Sequence, residues 1–308
     1  LIDQLRALPP ADAPLFIAVD QEGGRVARLR SPVLSLPPMR ALAELEDPSL
    51  IRDAATLLGR QLQTLGFNLD FAPVLDVDTN PDNPAIGDRS FGRDPAAVVK
   101  HARAFAAGLA AGGVAACGKH FPGHGDTLLD SHFDLPRVSH PRERLERIEL
   151  APFRALQGEL PCIMTAHVLF DALDPDRPAT LSRPILQGLL RGELGFRGLI
   201  WSDDLEMKAV SDRYGVAEAA CLAIEAGCDS VLICSKPEEA LAAQRALLLR
   251  AERDRSFAAR LHDAASRSLA LRRTIPPFTR SGGSIEQALS ALQPEAIEAR
   301  IRAARPIA

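Results

Sequence analysis

Along the chain, short runs of β-branched and apolar residues alternate with longer stretches in which apolar positions recur every three or four residues. The short runs are LFIAVD (15–20), LDFAPVLDV (69–77), VAACGKHF (114–121), CIMTAH (162–167), GLIWSDD (198–204) and SVLICS (230–235). Helical periodicity covers 48–66, 95–112, 143–158, 183–195, 215–227 and 255–273. Strand and helix in alternation predict βαβ units and a parallel sheet. Six strands are two short of a closed (β/α)8 barrel. An open doubly wound sheet is the alternative, but it normally carries a Gly-rich first turn, and no G-x-G-x-x-G occurs. A Pro276-Pro277 break and a Ser-Gly-Gly turn at 281–283 precede a last helical stretch, 284–304. We therefore expect one barrel domain over 1–308, with about 274–308 as its C-terminal tail.

Composition narrows the partners more than the fold. A net charge of −4 and a pI near 6.0 offer no electrostatic reason for a nucleic-acid or anionic-membrane partner. No run reaches the ~18 apolar residues of a membrane span. Five cysteines, odd in number and without a C-x-x-C pair, suggest neither a disulfide framework nor a zinc site, so a reducing compartment is the simpler reading. Residue 1 is Leu, and LIDQLRAL reads as the middle or end of an amphipathic helix, so an upstream segment is expected.

Chemistry gathers where the apolar runs stop. Asp20, Asp76, Lys119, His120, His167, Asp203 and Asp204 all stand at such ends. In a barrel the C-terminal ends of the strands form the active-site face, so these groups are expected in one pocket; taken singly, each is equally a solvated strand end. The densest segment is GKHFPGHGDTLLDSHFDLP (118–136). A metal site of His120, His124 and His132 is one reading, but Pro122-Gly123 breaks the helix that an i, i+4 pair needs. Proton transfer by Asp130 and His132 fits better, because residues two apart in an extended segment point the same way and a carboxylate beside an imidazole favours the imidazolium. SDDLEM (202–207) supplies two adjacent carboxylates, with Ser202 or Asp204 also suited to cap a helix. Only four lysines occur against thirty-two arginines, which singles out Lys119; Arg28 and Arg89 lie in Gly-containing loops, where they would reach a ligand or form surface ion pairs. Aromatic residues are 5% of the chain, so recognition should rest on hydrogen bonds rather than stacking.

Several segments together resemble the family 3 glycoside hydrolases, in particular the bacterial β-N-acetylglucosaminidases of muropeptide recycling. They are AVDQEGGRVARL (18–29), FAPVLDV (71–77), IGDRSFGRDP (86–95), GKHFPGHGDTLLDSH (118–132), MTAHV (164–168) and GLIWSDDLEM (198–207). The resemblance implies a (β/α)8 barrel whose first two strands are missing from this chain, so that the chain is N-terminally incomplete. It implies Asp203 as nucleophile, His132 as general acid/base supported by Asp130, and Asp20, Arg28, Arg89, Lys119 and His120 as sugar-binding positions. It further implies no metal or other cofactor, a cytoplasmic monomer, a small saccharide or muropeptide substrate, and no nucleic-acid or membrane partner. The expected reaction is retaining hydrolysis of terminal β-linked N-acetylglucosamine through a covalent glycosyl-Asp203 intermediate. Ordinary retaining enzymes use two carboxyl groups about 5–5.5 Å apart; here a histidine replaces one. Phosphate in place of water as acceptor, attack by the substrate's own acetamido group, and a non-catalytic sugar-binding barrel are the alternatives.

Overall fold

Each of the six apolar runs contributes one strand to a single parallel sheet in the computed structural model, which describes residues 2–8, 13–131, 134–275 and 284–304. The strands are β1 (Ala18–Val19), β2 (Leu69–Asp70), β3 (Ala115–Phe121), β4 (Cys162–Thr165), β5 (Leu199–Asp204) and β6 (Ser230–Leu232). Spatial order equals chain order, and every adjacent pair is parallel. A doubly wound sheet reverses its strand order at a switch point. None is present here, so the sheet winds in one direction as a barrel does. Ala18 of β1 and Leu232 of β6 belong to one apolar cluster with Leu69, Cys117, Met164 and Trp201, which places the inner faces of all six strands around a common interior. Trp201 lies in its centre, edge-on to Phe16 and Phe71 at centroid distances of 5.5 Å. The two outer strands are not hydrogen-bonded to each other among the described residues, so the curled sheet is a partial barrel.

Helices pack on the outer face. The first long one, α1 (Pro48–Leu65), starts where Asp47 accepts the Ser49 and Leu50 N–H groups and stops at Gly66, whose φ of 98° few other residues adopt. Its neighbour α2 (Pro95–Ala111) is capped in the same way by Asp94. The two approach closely through glycines: a β-carbon at Gly108 would stand 2.5 Å from the Arg52 carbonyl oxygen and 2.6 Å from the Ala55 β-carbon.

Four local expectations need correction. The 143–158 stretch is two helices, Arg142–Arg147 and Ala151–Leu156; Pro152 has no N–H for a continuous ladder. The 183–195 stretch is wound as a π-helix over Pro184–Glu193, closed by the Leu194 N–H to the Leu189 carbonyl five residues back. The last stretch is likewise broken, at Gln293-Pro294, into Ile285–Ser290 and Pro294–Ala304. Ser202 and Asp204 cap nothing, since β5 runs through Asp204 and the next helix begins only at Lys208. A further helix, Pro237–Arg253, has Ala243 buried and Ala246, Leu247 and Ala251 partly buried against a small cluster around Phe257. The Pro276-Pro277 break and the Ser-Gly-Gly turn lie outside the described residues. No helix among those described is long and apolar enough to cross a membrane.

The glycine contact between α1 and α2 yields a direct test. In Gly108→Ala the new methyl meets backbone, which cannot rotate away, so the stability loss should be about 1–3 kcal/mol despite the better helix propensity of alanine. The midpoint of urea denaturation reads it; an unchanged or raised midpoint would show that the helices have room to separate.

Candidate active site

The C-terminal ends of the strands open on a cavity of about 400 Å³. Asp20, Arg28, Arg89, Lys119, His120, Asp130 and Asp203 all line it. His132 lies outside the described residues, and with it the geometry of the Asp130/His132 pair. The carbonyl oxygen of Asp130 accepts the Asp134 N–H at 3.2 Å.

Lys119, at the end of β3, is only 2% exposed, and a buried ammonium has to be compensated. Its Nζ lies 2.8 Å from Asp20 Oδ1 and 2.5 Å from Glu22 Oε1. Arg89 holds the same Glu22 with both arms of its guanidinium, Nε to Oε2 at 2.9 Å and a terminal nitrogen to Oε1 at 2.8 Å. Burial alone would raise the Glu22 carboxyl, but the Lys119 and Arg89 charges outweigh it and hold it at about 2. Sequence reasoning did not single out Glu22. Its signal was present, since an acidic residue beside the sharp Gly23-Gly24 turn is placed to fold back beneath the strand ends.

The second network starts at Asp76, which is fully buried. It accepts the His120 ring Nδ1 at 2.7 Å and the His124 backbone N–H at 2.6 Å. His124 is buried too, and its two ring nitrogens meet Ser131 Oγ at 3.0 Å and Thr127 Oγ1 at 2.8 Å. Burial, with His120 nearby, lowers its pKa to about 4, so it is a neutral brace of the 122–131 loop. With both nitrogens engaged by hydroxyls, His124 has no lone pair directed at a shared metal, which counts against the three-histidine reading. Among the described residues no cluster of His, Cys, Asp and Glu has metal-site geometry.

Asp203 and Asp204 are adjacent in sequence but differ in environment. For Asp203, burial would raise the carboxyl, yet His120, His167, the Asp204 N–H at 2.8 Å and Lys119 together take it below the ordinary value. For Asp204 burial prevails, aided by repulsion from Glu206 and Asp203, and the carboxyl is raised. Two neighbouring acids whose environments push them apart suit different roles. Of the two, Asp203 is the one whose surroundings favour the carboxylate. His167, which the sequence marked only as a polar strand end, is fully buried between Thr180 Oγ1 (2.8 Å) and the Asp204 carbonyl (2.9 Å), and so fixes the end of β5.

Comparison with known proteins shows what the chain as a whole is similar to. The glycosyl hydrolase family 3 N-terminal domain model matches residues 2–270. A β-hexosaminidase of Alkalilimnicola ehrlichii is 46% identical over 257 residues, 80% of this chain and 73% of that protein. Among solved structures, a glycoside hydrolase family 3 β-N-acetylglucosaminidase from Paenibacillus superposes with a TM-score of 0.84 at 44% identity, covering 91% of this chain; the chain spans 56% of that one. NagZ from Neisseria gonorrhoeae, solved in complex with N-trifluoroacetyl-D-glucosamine, gives 0.77 at 34% identity, covering 99% of this chain and 85% of its own.

The buried cluster has a consequence for acid stability. Glu22 has a lower pKa folded than unfolded, so its contribution is complete above about pH 4.5 and is lost as pH falls toward about 2. Urea midpoints measured between pH 6 and 3 should therefore fall more steeply for the parent than for Glu22→Ala. At pH 7 the same substitution should cost about 3–5 kcal/mol, because it takes the carboxylate from Arg89 and leaves Lys119 with Asp20 alone. Parallel pH curves for the two proteins would contradict the assignment.

Proposed function

The chain belongs to the family 3 glycoside hydrolases, and from that premise we propose that its cavity cleaves terminal β-linked N-acetylglucosamine with retention of configuration. The observation that carries this reading is the electrostatic division between Asp203 and Asp204, two carboxyls on the cavity wall, which favours the anion at Asp203 and disfavours it at Asp204. Asp203 attacks the anomeric carbon as the bond to the aglycone breaks, and the departing oxygen takes a proton from His132. His132 then removes a proton from water, which displaces Asp203 and releases the sugar. Asp130 keeps the imidazole oriented and protonated in the first step. Asp20, Lys119, Arg89, Arg28 and His120 surround the sugar hydroxyls with charge-assisted donors and acceptors. The cavity volume falls within the range of about 300–1,000 Å³ common for small-ligand sites.

The substrate class is a small saccharide derived from the cell wall, such as a muropeptide. Support comes from the family resemblance and from the polar, aromatic-poor lining, which suits a sugar held by hydrogen bonds. A cytoplasmic monomer is proposed on the same resemblance, in keeping with five cysteines that are all unpaired.

Release of nitrophenol from the β-N-acetylglucosaminide tests the activity. Asp203→Ala should lower kcat at least about 10⁴-fold, and His132→Ala by about 10²–10⁴-fold. A chelator should leave the rate unchanged. Full activity in Asp203→Ala would refute the nucleophile assignment, and loss of activity on chelation would restore the metal reading.

A further inference from the structure

Asp70, the last residue of β2, belongs to neither network described above. It stands between Val19 of β1 and Ala116 of β3 in the sheet register, and it is fully buried. Its Oδ1 accepts the Gln21 N–H at 2.9 Å, and its Oδ2 has no partner among the described residues. Gln21 is the residue between Asp20 and Glu22, the two carboxylates that meet Lys119. Asp70 therefore grips the backbone at the midpoint of the Lys119 ligands.

Charge balance explains what state it must occupy. The cations of the cluster are Lys119 and Arg89, and their contacts are already made with Asp20 and Glu22. A third ionised carboxylate behind them would have one backbone N–H and no cation of its own. Burial, together with Asp20 and Glu22, outweighs the Gln21 N–H and Lys119 and lifts the Asp70 carboxyl to about 8. At neutrality it is an uncharged acid, with Oδ1 as the natural carbonyl acceptor for Gln21. These four groups, Asp20 at the end of β1, Gln21 and Glu22 on the hairpin that follows (Gln21–Gly23 paired with Val26–Ala27) and Lys119 on β3, are the polar neighbours that face it.

We infer that Asp70 is a positioning residue of the glycone site: through the Gln21 backbone it sets Asp20 and Glu22 on Lys119, and so fixes the donors and acceptors that meet the sugar. Ionisation of Asp70 adds a negative charge that interacts with Lys119 and competes with Asp20 for the ammonium. Sugar affinity should therefore fall in the mildly alkaline range, independently of the proton donor of the reaction. This inference rests on the proposed glycosidase reading, in which Asp20 and Lys119 hold the sugar.

The test is binding of free N-acetylglucosamine by calorimetry from pH 6 to 9.5, with nitrophenyl glycoside turnover at pH 7 beside it. Free sugar needs no proton transfer, so His132 does not enter the binding curve. Asp70→Asn keeps the acceptor and the shape but cannot ionise. The parent should lose at least threefold in affinity between pH 7 and 9.5, while Asp70→Asn stays within twofold of its pH 7 value. Asp70→Ala, which drops the Gln21 bond, should raise KM at least fivefold with a smaller change in kcat. If it does not fold, Asp70→Asn carries the test alone. Superimposable pH curves for parent and Asp70→Asn, with turnover intact, would overturn the Asp70 role and leave the glycosidase reading standing. A parent that neither binds nor turns over at pH 7 would overturn both.

Discussion

A lysine ammonium sealed beneath a ligand cavity is the constraint on which the rest of the site depends. Lys119 is almost entirely removed from water, and leaving it unpaired there would cost several kcal/mol. Asp20 and Glu22 answer the charge from the end of β1 and the hairpin that follows, and Arg89 reaches in from a separate loop to complete Glu22. Three segments far apart in sequence are thereby tied at one point. The first strand, the 86–89 turn and the third strand have to arrive together, because a misplacement of any one leaves a buried charge uncompensated. The same compensation keeps Lys119 protonated well above its ordinary range, burial notwithstanding, so the cavity floor presents a fixed cation beside an exposed carboxylate edge.

From this floor the charge pattern extends to Asp203. Lys119 and the imidazoles of His120 and His167 stabilise a carboxylate at Asp203, whereas Asp204, turned toward Glu206, is disfavoured as an anion. The discrimination between two adjacent aspartates is thus electrostatic. It needs the strand ends of β3, β4 and β5 to sit side by side, which the parallel sheet supplies. A partial barrel of six strands is enough to gather the described groups, since they all issue from those six strands and their loops.

Strand order and the identity of the cavity-lining residues were legible in the sequence, because apolar runs ending in polar residues are a local pattern that a parallel sheet converts into proximity. Asp20, Lys119, His120 and Asp203 could be named on that basis. Arg28 and Arg89 were weaker, since an arginine in a Gly-containing loop has many fates, and Arg89 is directed by Glu22, a residue whose role appears only when the hairpin folds back. Asp70 was less legible still. It lies inside the same apolar run whose end is marked by Asp76, and nothing local sets it apart from its apolar neighbours. Helix breaks at Pro152 and Pro294 were visible as prolines, yet apolar periodicity on both sides masked them. The π-helical winding at Pro184–Glu193 has no counterpart in periodicity, because its side chains still form one apolar face.

The central claim is that Asp203 forms the bond to the sugar. Reaction with a 5-fluoro-N-acetylglucosaminyl fluoride slows turnover of a glycosyl-enzyme enough to isolate it, and peptide mapping by mass spectrometry then locates the label. The account predicts one equivalent, attached to Asp203 and released slowly with return of activity. Label on Asp204, or no adduct together with tight inhibition by a thiazoline that mimics attack by the acetamido group, would contradict it.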